Sequence, residues 1–273
     1  MRLLKSCRTA VAGVLLLPAL ATAQGGDTAR VQVLRPASWH LQANSYYSEA
    51  SNGYGVWRGQ DVRLLYSGKK ISPFVSIGSQ SRPNGGQRVV SAGSYIVITP
   101  WLFSIVGIGS APDRGVVLFP KLRTDISAFV AVPKLKGVLM STGVTDLRFT
   151  DPRTGGRIVS LGPTIYRGRG IYSGAVHLNT DRASGAKSSS WQVGGQWGAQ
   201  GSYWVGGGLG GGNEAYQVLS TTPFDARFSS RWGSVFASRW ITKGTGASLR
   251  VDFENKIDVY RRTALGLSYF VDF

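Results

Sequence analysis

Few residues in this chain could support catalysis. Its only histidines are His40 and His177, and its single cysteine is Cys7. Outer-membrane barrels that hydrolyse lipid use side chains such as serine with histidine, so these two histidines are the candidates for such chemistry. Each histidine lies between apolar residues in the sequence. This pattern indicates a strand on which the histidine points into the lumen and its neighbours point outward. Because the chain has neither a G-x-S-x-G elbow nor an H-E-x-x-H motif, the sequence predicts no enzyme activity, no metal site and no cofactor.

The last residues of the chain have the pattern of a strand with one apolar face. Steps of two back from the terminus give Phe273, Val271, Tyr269, Leu267 and Leu265. The positions between them are mostly small or polar. Bacterial outer-membrane barrels commonly end in such a strand with a terminal aromatic residue, whereas the alternative is the last strand of a soluble sandwich. We expect Tyr269, Val271 and Phe273 to form a signal for the barrel-assembly machinery.

Segments of about ten residues with this period recur along the chain, separated by turn residues. Two of them are irregular: 101–110 is apolar on both faces, and Pro163 interrupts 156–166. The pattern predicts an all-β, up-and-down antiparallel transmembrane barrel of about fourteen strands, or twelve if weaker segments merge. The predicted strands are 38–47, 57–67, 71–80, 87–98, 101–110, 117–132, 136–149, 156–166, 169–180, 187–198, 202–212, 227–240, 245–254 and 261–273.

The connections between these segments alternate in length. Short turns at one end and longer loops at the other are typical of the periplasmic and extracellular ends of a barrel. The short connections are 67–70, 99–100, 133–134, 167–170, 199–201 and 242–244. The others are mostly longer: 48–56, 81–86, 111–115, 150–155, 181–186, 213–226 and 255–260.

The first 23 residues have the composition of a secretory signal peptide. A basic start is followed by an apolar stretch from Ala10 to Leu20 and by Ala21-Thr-Ala23, which fits a cleavage site. We therefore expect residues 1–23 to be removed, residues 24–37 to form a periplasmic leader and residues 38–273 to form the barrel. Cys7 would be lost with the signal, which leaves no disulfide.

The chain is strongly basic. Its formal charge is +17, and the expected signal peptide holds three basic and no acidic residues, which leaves +14. The basic residues are dispersed, and an exported protein rarely meets nucleic acid, so we expect no nucleic-acid partner. The anionic partners at a cell surface are lipopolysaccharide phosphates, acidic polysaccharides and small anions, although solvation of loops and lumen alone would explain the charge equally well.

Some charged residues alternate with apolar ones and are candidates for the lumen. In segment 245–254, Arg250 alternates with Leu249 and Val251, so Leu249→Arg should be costly and Arg250→Ser tolerated. These assignments predict a basic lumen that favours anions. The candidate lumen residues are Arg63, Lys121, Arg123, Arg239 and Arg250, partly offset by Asp61, Asp125, Asp252 and Glu254.

Tryptophan and glycine add two expectations about the wall. Trp232 and Trp240 share a face eight residues apart, about 20 Å of height in a tilted strand, so they could mark the two aromatic girdles. The glycine run 206–212 lacks the Lys-Ser/Thr that follows the glycines of a phosphate loop. It predicts a strand with almost no side chains, which other side chains of the lumen can approach closely. The loop 213–226 after it could fold inward or stay outside.

Several hairpin patterns resemble those of YaiO-type outer-membrane β-barrel proteins, over roughly residues 38–273. The resemblance implies a barrel in the outer membrane, and it supplies no catalytic or ligand-binding residue to carry over. The stretches that carry it are Asp151-Pro-Arg-Thr-Gly-Gly-Arg-Ile-Val-Ser-Leu-Gly-Pro-Thr-Ile-Tyr166, Gly170-Ile-Tyr172, Trp191-Gln-Val-Gly-Gly-Gln-Trp197, Gly212-Asn-Glu-Ala-Tyr216 and Tyr260-Arg-Arg-Thr-Ala-Leu-Gly-Leu-Ser-Tyr-Phe270.

Two functional hypotheses follow for a monomeric barrel in the outer membrane. The first is a narrow pore or translocation barrel that favours anionic solutes. The second is a structural or surface-interaction barrel that contacts lipopolysaccharide or exopolysaccharide. A lipid-modifying hydrolase that depends on the two histidines is a third and weaker hypothesis. Conductance across a planar bilayer separates the first hypothesis from the second.

Overall fold

The computed structural model describes residues 38–83, 85–112, 119–151, 154–214 and 228–273. These residues form fourteen antiparallel strands. The strands are β1 Ser38–Ala50, β2 Gly55–Ser67, β3 Ile71–Arg82, β4 Gly85–Thr99, β5 Leu102–Ser110, β6 Leu122–Ala131, β7 Val138–Arg148, β8 Gly155–Arg167, β9 Gly170–Asp181, β10 Lys187–Ala199, β11 Tyr203–Glu214, β12 Phe228–Trp240, β13 Thr245–Lys256 and β14 Tyr260–Asp272.

Each strand pairs with its neighbours in sequence, and β1 pairs with β14 to close the barrel. The predicted up-and-down barrel of fourteen strands is therefore confirmed, and twelve strands are excluded. Closure satisfies the backbone hydrogen bonds of every strand within the wall, as hydrocarbon requires. No helix among the described residues is long and apolar enough to cross a membrane. The predicted signal peptide and leader lie outside the described residues.

The seam of the barrel includes the terminal residue. Trp39 and Phe273 exchange two backbone hydrogen bonds, of 2.7 Å and 3.0 Å. The register continues upward through His40 opposite Asp272 to Ala50 opposite Arg262. The side chains of Tyr269 and Phe273 are exposed on the outer surface. Both ends of the barrel chain therefore lie at the same rim.

Deletion of Phe273 tests the predicted assembly signal. The deletion removes both hydrogen bonds to Trp39 and the last outward aromatic side chain, so we expect several-fold less assembled barrel in the outer membrane. The folded form is measured as the fast-migrating band of unheated samples on gels. Phe273→Tyr, which retains both features, should assemble normally. Equal assembly of the deleted and the full chain would contradict the assignment.

The two rims differ in their connections. At the turn end, β-strands are joined through residues 68–70, 100–101, 132–137, 168–169, 200–202 and 241–244. The opposite rim, the loop end, has the two longest connections, 111–121 and 215–227, of which only residues 111, 112 and 119–121 are described. Several strands extend beyond their predicted limits. The predicted loop 81–86 is therefore shorter, whereas the predicted turn 133–134 is longer.

Outward-facing residues form an apolar band around the barrel. Ile77, Ile126, Leu161, Val193 and Leu267 are examples of exposed apolar side chains on this face. Exposed hydrocarbon over the whole circumference is what a lipid bilayer requires of a barrel. Trp39 and Tyr66 contact each other at 5.0 Å near the turn end, where an aromatic girdle is expected at the interface.

Candidate functional site

The inward-facing side chains form the lumen, and the register identifies them. Residues that lie directly opposite each other in an antiparallel sheet share a face. Asn44 donates to Asp61 across β1 and β2 at 2.7 Å, and Ser76 contacts Ser91 across β3 and β4 at 2.6 Å. The registers of the other strand pairs identify their inward residues in the same way. The middle of the lumen is therefore lined largely by hydroxyl, amide and charged groups.

The structure places seven of the nine predicted lumen residues on the inward face: Asp61, Arg63, Arg123, Asp125, Arg250, Asp252 and Glu254. Lys121 precedes β6 and is exposed in the connection after β5. Arg239 lies opposite Tyr203 on the outward face. The prediction that Arg239 lines the lumen is therefore wrong, because its position in β12 alternates with inward aromatic residues.

Two of the inward arginines lie beside a carboxylate on the same strand. Arg123 donates to Asp125 through Nε at 2.7 Å and through Nη2 at 2.8 Å, and Thr145 donates to the same carboxylate at 2.6 Å. Arg250 donates to Asp252 at 2.7 Å. Positions two residues apart face the same side of a strand, so each arginine and its carboxylate project together into the lumen.

Arg63 is held by aromatic side chains. Its guanidinium donates to the Tyr95 hydroxyl at 3.1 Å and lies 4.4 Å from the centre of the Phe74 ring. Asp61, two residues away on the same strand, accepts the bond from Asn44. A basic and an acidic group therefore lie two residues apart on the inward face of β2, as they do on β6 and β13.

The described inward side chains of the strands include equal numbers of basic and acidic residues. The prediction of a basic lumen is therefore wrong. The basic members are Arg63, Arg82, Arg123, Arg250, Lys256 and Arg262, and the acidic members are Asp61, Asp125, Asp181, Asp252, Glu254 and Asp272. The high formal charge of the chain therefore has to lie elsewhere on the molecule.

A buried group of inward side chains occupies the loop end beside β13, β14 and β1–β3. Glu254 bonds to Arg262 at 2.5 Å and to Lys256 at 3.6 Å. Arg82 and Arg262 stack on the Trp57 ring at 4.0 Å and 4.9 Å, contacts that are favourable when desolvated. This group narrows the lumen at its loop end on that side. Arg82 was missed because the predicted third strand ended two residues early.

Several inward aromatic rings lie close to a glycine of the neighbouring strand. A Cβ atom at Gly210 would approach the Trp232 ring to 2.7 Å, and one at Gly206 would approach Phe236 to 2.8 Å. Tyr46 covers Gly59 in the same way. The glycine run thus thins the wall for close approach, as predicted. Rings held against the wall in this way take up less of the lumen than rings that project toward its axis.

The register of β12 also shows that Trp232 and Trp240 do not form the predicted aromatic girdles. Trp232 lies opposite Gly210 and Glu254, and Trp240 donates its Nε1–H to the inward carboxylate of Asp272 at 3.2 Å. Both tryptophans face the lumen rather than the bilayer. Their spacing along the strand matched the height of an apolar band, but the spacing alone does not determine which face of the strand is outside.

Both histidines lie inside the barrel. His40 Nδ1 is 2.7 Å from Asp272 near the turn end. His177 Nδ1 is 2.8 Å from the hydroxyl of Ser160, and His177 also bonds to the amide of Gln192. The two histidines therefore have separate partners and do not form one site. Within the described part of the chain, no group of three or more His, Cys, Asp or Glu residues is placed to hold a metal ion.

A family model for the YaiO membrane β-barrel domain matches residues 40–217. The chain belongs to this family. The YaiO match extends from β1 through β11, and the remaining strands complete the same closed sheet. No curated protein matches this YaiO barrel in sequence.

Solved structures share the architecture of this YaiO barrel at low identity. An outer-membrane channel from Pseudomonas putida F1 is 12% identical with a TM-score of 0.53, over 92% of this chain and 100% of that chain. A bacterial polysaccharide outer-membrane secretin is 8% identical with a TM-score of 0.57, over 86% and 98%. OpdO of Pseudomonas aeruginosa is 8% identical with a TM-score of 0.50, over 87% and 96%. These likenesses support the fold, an outer-membrane β-barrel.

Proposed function

We propose that this barrel is a narrow pore for small polar solutes. The observation that carries the proposal is the inward face, where hydroxyls, amides and paired charges line the middle of a fourteen-strand ring. Interiors of eight-stranded barrels are just filled by side chains, and barrels of 16–18 strands leave an aqueous channel. Fourteen strands lie between these sizes, and the rings held against glycines reduce the obstruction.

The pore favours anions through its turn-end mouth. Arg123 and Arg250 each have a carboxylate partner, so the lumen itself adds little preference. The six connections at the turn end contain basic residues and no acidic ones. Because a ring of one charge at a mouth concentrates counter-ions, it biases the flow of small ions. The basic residues of these connections are Lys69, Lys70, Lys134, Lys136, Arg169 and Lys243.

Planar-bilayer recording under a salt gradient tests this function. We expect single-channel conductance with a reversal potential of the sign for anion flow. Neutralising Lys134, Lys136 and Arg169 together should move that potential toward zero, because the mouth loses charge. Arg123→Gln combined with Asp125→Asn should leave it unchanged, because the pair removed is neutral. Conductance that is absent from a folded barrel would refute the pore.

The surface-interaction hypothesis is the second candidate, and the outward charges described below favour it. It is compatible with a pore, because it concerns the outer face of the barrel.

The hydrolase hypothesis has less support. His177 bonds to Ser160 and to the amide of Gln192, whereas a carboxylate commonly orients and stabilises the imidazole of a serine hydrolase. We therefore assign Ser160 and His177 to the polar lining of the lumen.

A further inference from the structure

Basic side chains ring the outer surface of the barrel at its loop end. Each lies within a few residues of the end of its strand, on the face opposite to the lumen. Only Glu49 and Asp146 are acidic on this face and at this level among the described residues. The basic residues are Arg58, Arg88, Arg148, Arg157, Arg182, Lys187, Arg231 and Arg261. We call this ring the outer basic belt.

The belt is densest around Asp146 on β7. Arg148 donates to its carboxylate at 2.9 Å, Arg182 at 2.9 Å and Arg157 at 3.4 Å. The Asp146 side chain is only 11% exposed, whereas those of Arg148, Arg157 and Arg182 are 58%, 62% and 36% exposed. One shielded carboxylate therefore holds three guanidinium groups together while they remain accessible from outside.

Lys187 extends this group by one strand. Asp146 lies opposite Arg157, Arg157 opposite Thr180, and Thr180 opposite Lys187. The four residues therefore form one continuous row across the outward face of β7–β10. Three arginines and one lysine against one aspartate give the group a formal charge of +3. We call these five charged residues the Asp146 cluster.

The cluster lies at the edge of the apolar band. The next outward row toward the turn end contains Val144, Val159 and Leu178, which are exposed apolar side chains. On β8, Arg157 and Arg167 are both outward and ten residues apart, or about 25 Å of height at a tilt of about 40°. That height equals the usual thickness of the apolar band. The Asp146 cluster therefore lies at the level of lipid headgroups.

We propose that the Asp146 cluster binds the phosphate groups of lipopolysaccharide in the outer leaflet. The proposal rests on the outer-membrane fold and is independent of whether the lumen conducts. The loop end of a barrel lies at the outer leaflet, where phosphorylated glycolipid is the anionic component at headgroup level. Guanidinium groups match phosphate oxygens in bidentate hydrogen bonds. Because Asp146 already gathers the three guanidinium groups, a phosphate meets donors that are held in place.

The test measures lipopolysaccharide binding to the barrel purified from outer membranes in detergent. The variant is Arg157→Gln combined with Lys187→Gln, because Arg148 and Arg182 still neutralise Asp146 and preserve the fold. The matched control is Arg167→Gln combined with Arg239→Gln, which removes two outward charges at the turn end. Bound glycolipid is quantified by native mass spectrometry, with gel migration of unheated samples as the check of folding.

We expect the Arg157/Lys187 variant to bind at least tenfold more weakly than the unaltered barrel, and the Arg167/Arg239 variant to bind equally well. Dephosphorylated lipopolysaccharide should bind the unaltered barrel as weakly as the variant binds the intact lipid. Equal losses in both variants would show general charge attraction and overturn the site. Undiminished binding of the dephosphorylated lipid would also overturn it.

Discussion

Leu249→Arg is expected to destabilise the folded barrel by roughly 2–4 kcal/mol, the cost of a cation on the lipid face near the bilayer midplane. Leu249 is exposed on the outward face of β13, between Ala237 of β12 and Leu267 of β14. No carboxylate lies in this row, so the new guanidinium would have hydrocarbon around it. Equilibrium unfolding in urea from lipid vesicles gives the change in free energy directly.

Ser248→Arg is the matched control for this substitution. It introduces the same side chain one residue away, on the inward face beside the hydroxyl groups of Ser238 and Ser268. We expect a change below about 1 kcal/mol, as for ordinary polar substitutions at tolerant positions. This comparison is sharper than Arg250→Ser, which would also leave Asp252 without its arginine. Similar losses at positions 248 and 249 would contradict the facing of β13.

Gly162→Ala is expected to weaken the wall by about 1–3 kcal/mol or more, the usual cost of overpacking. A Cβ atom at Gly162 would overlap the carbonyl oxygen of Gly174 on β9 and come within 2.7 Å of the Ala175 Cα. Both obstacles are backbone, so no side chain can rotate away. Pro163 follows at once and lacks an N–H for the ladder, which leaves this part of β8 with little to offset a shift. Urea unfolding of the reconstituted barrel measures the loss.

Gly109→Ala adds the same methyl group to another inward position of the wall. Its nearest neighbours would be the Ser91 Cβ at 3.5 Å and the Val90 carbonyl oxygen at 3.7 Å, which are ordinary van der Waals distances. We expect Gly109→Ala to be neutral in the same unfolding assay, since the added methyl group fits without displacing the wall. If Gly162→Ala proves equally neutral, the close approach of β8 to β9 is not a feature of the folded protein.

The period of two predicted most of the architecture, since burial on one face of a strand repeats at every second residue. It placed Leu249 outside and Arg250 inside correctly. It failed for β12, where Trp232 and Trp240 are inside and Arg239 is outside. The reason is that the glycines of β11 receive large rings on the inward face, while an arginine at the edge of the apolar band can reach polar headgroups. The rule that apolar residues face outward and polar residues face inward therefore holds in the middle of a strand and fails near its ends.

The overall charge of the chain indicated anionic partners, but it did not indicate where on the barrel the basic residues lie. A sum over the sequence does not show whether a basic residue faces lumen, lipid or a connection. Inward residues such as Arg123 have carboxylates two positions away, a pattern that the sequence does display in Arg123-Thr-Asp125 and Arg250-Val-Asp252. By contrast, the contact of Arg157 and Arg182 with Asp146 joins β7, β8 and the connection after β9, so it required the register of the sheet.

The pairing of β1 with β14 also has a consequence for the order of folding. Every other pairing joins neighbours in sequence, so hairpins can form as soon as their two strands are present, with little loss of chain entropy. The pairing of Trp39 with Phe273 spans the whole barrel chain and has to wait for the last strand. Until then the sheet has two free edges. Closure is therefore the slow, non-local step, and chains that stop before β14 should persist as open sheets prone to pair with one another.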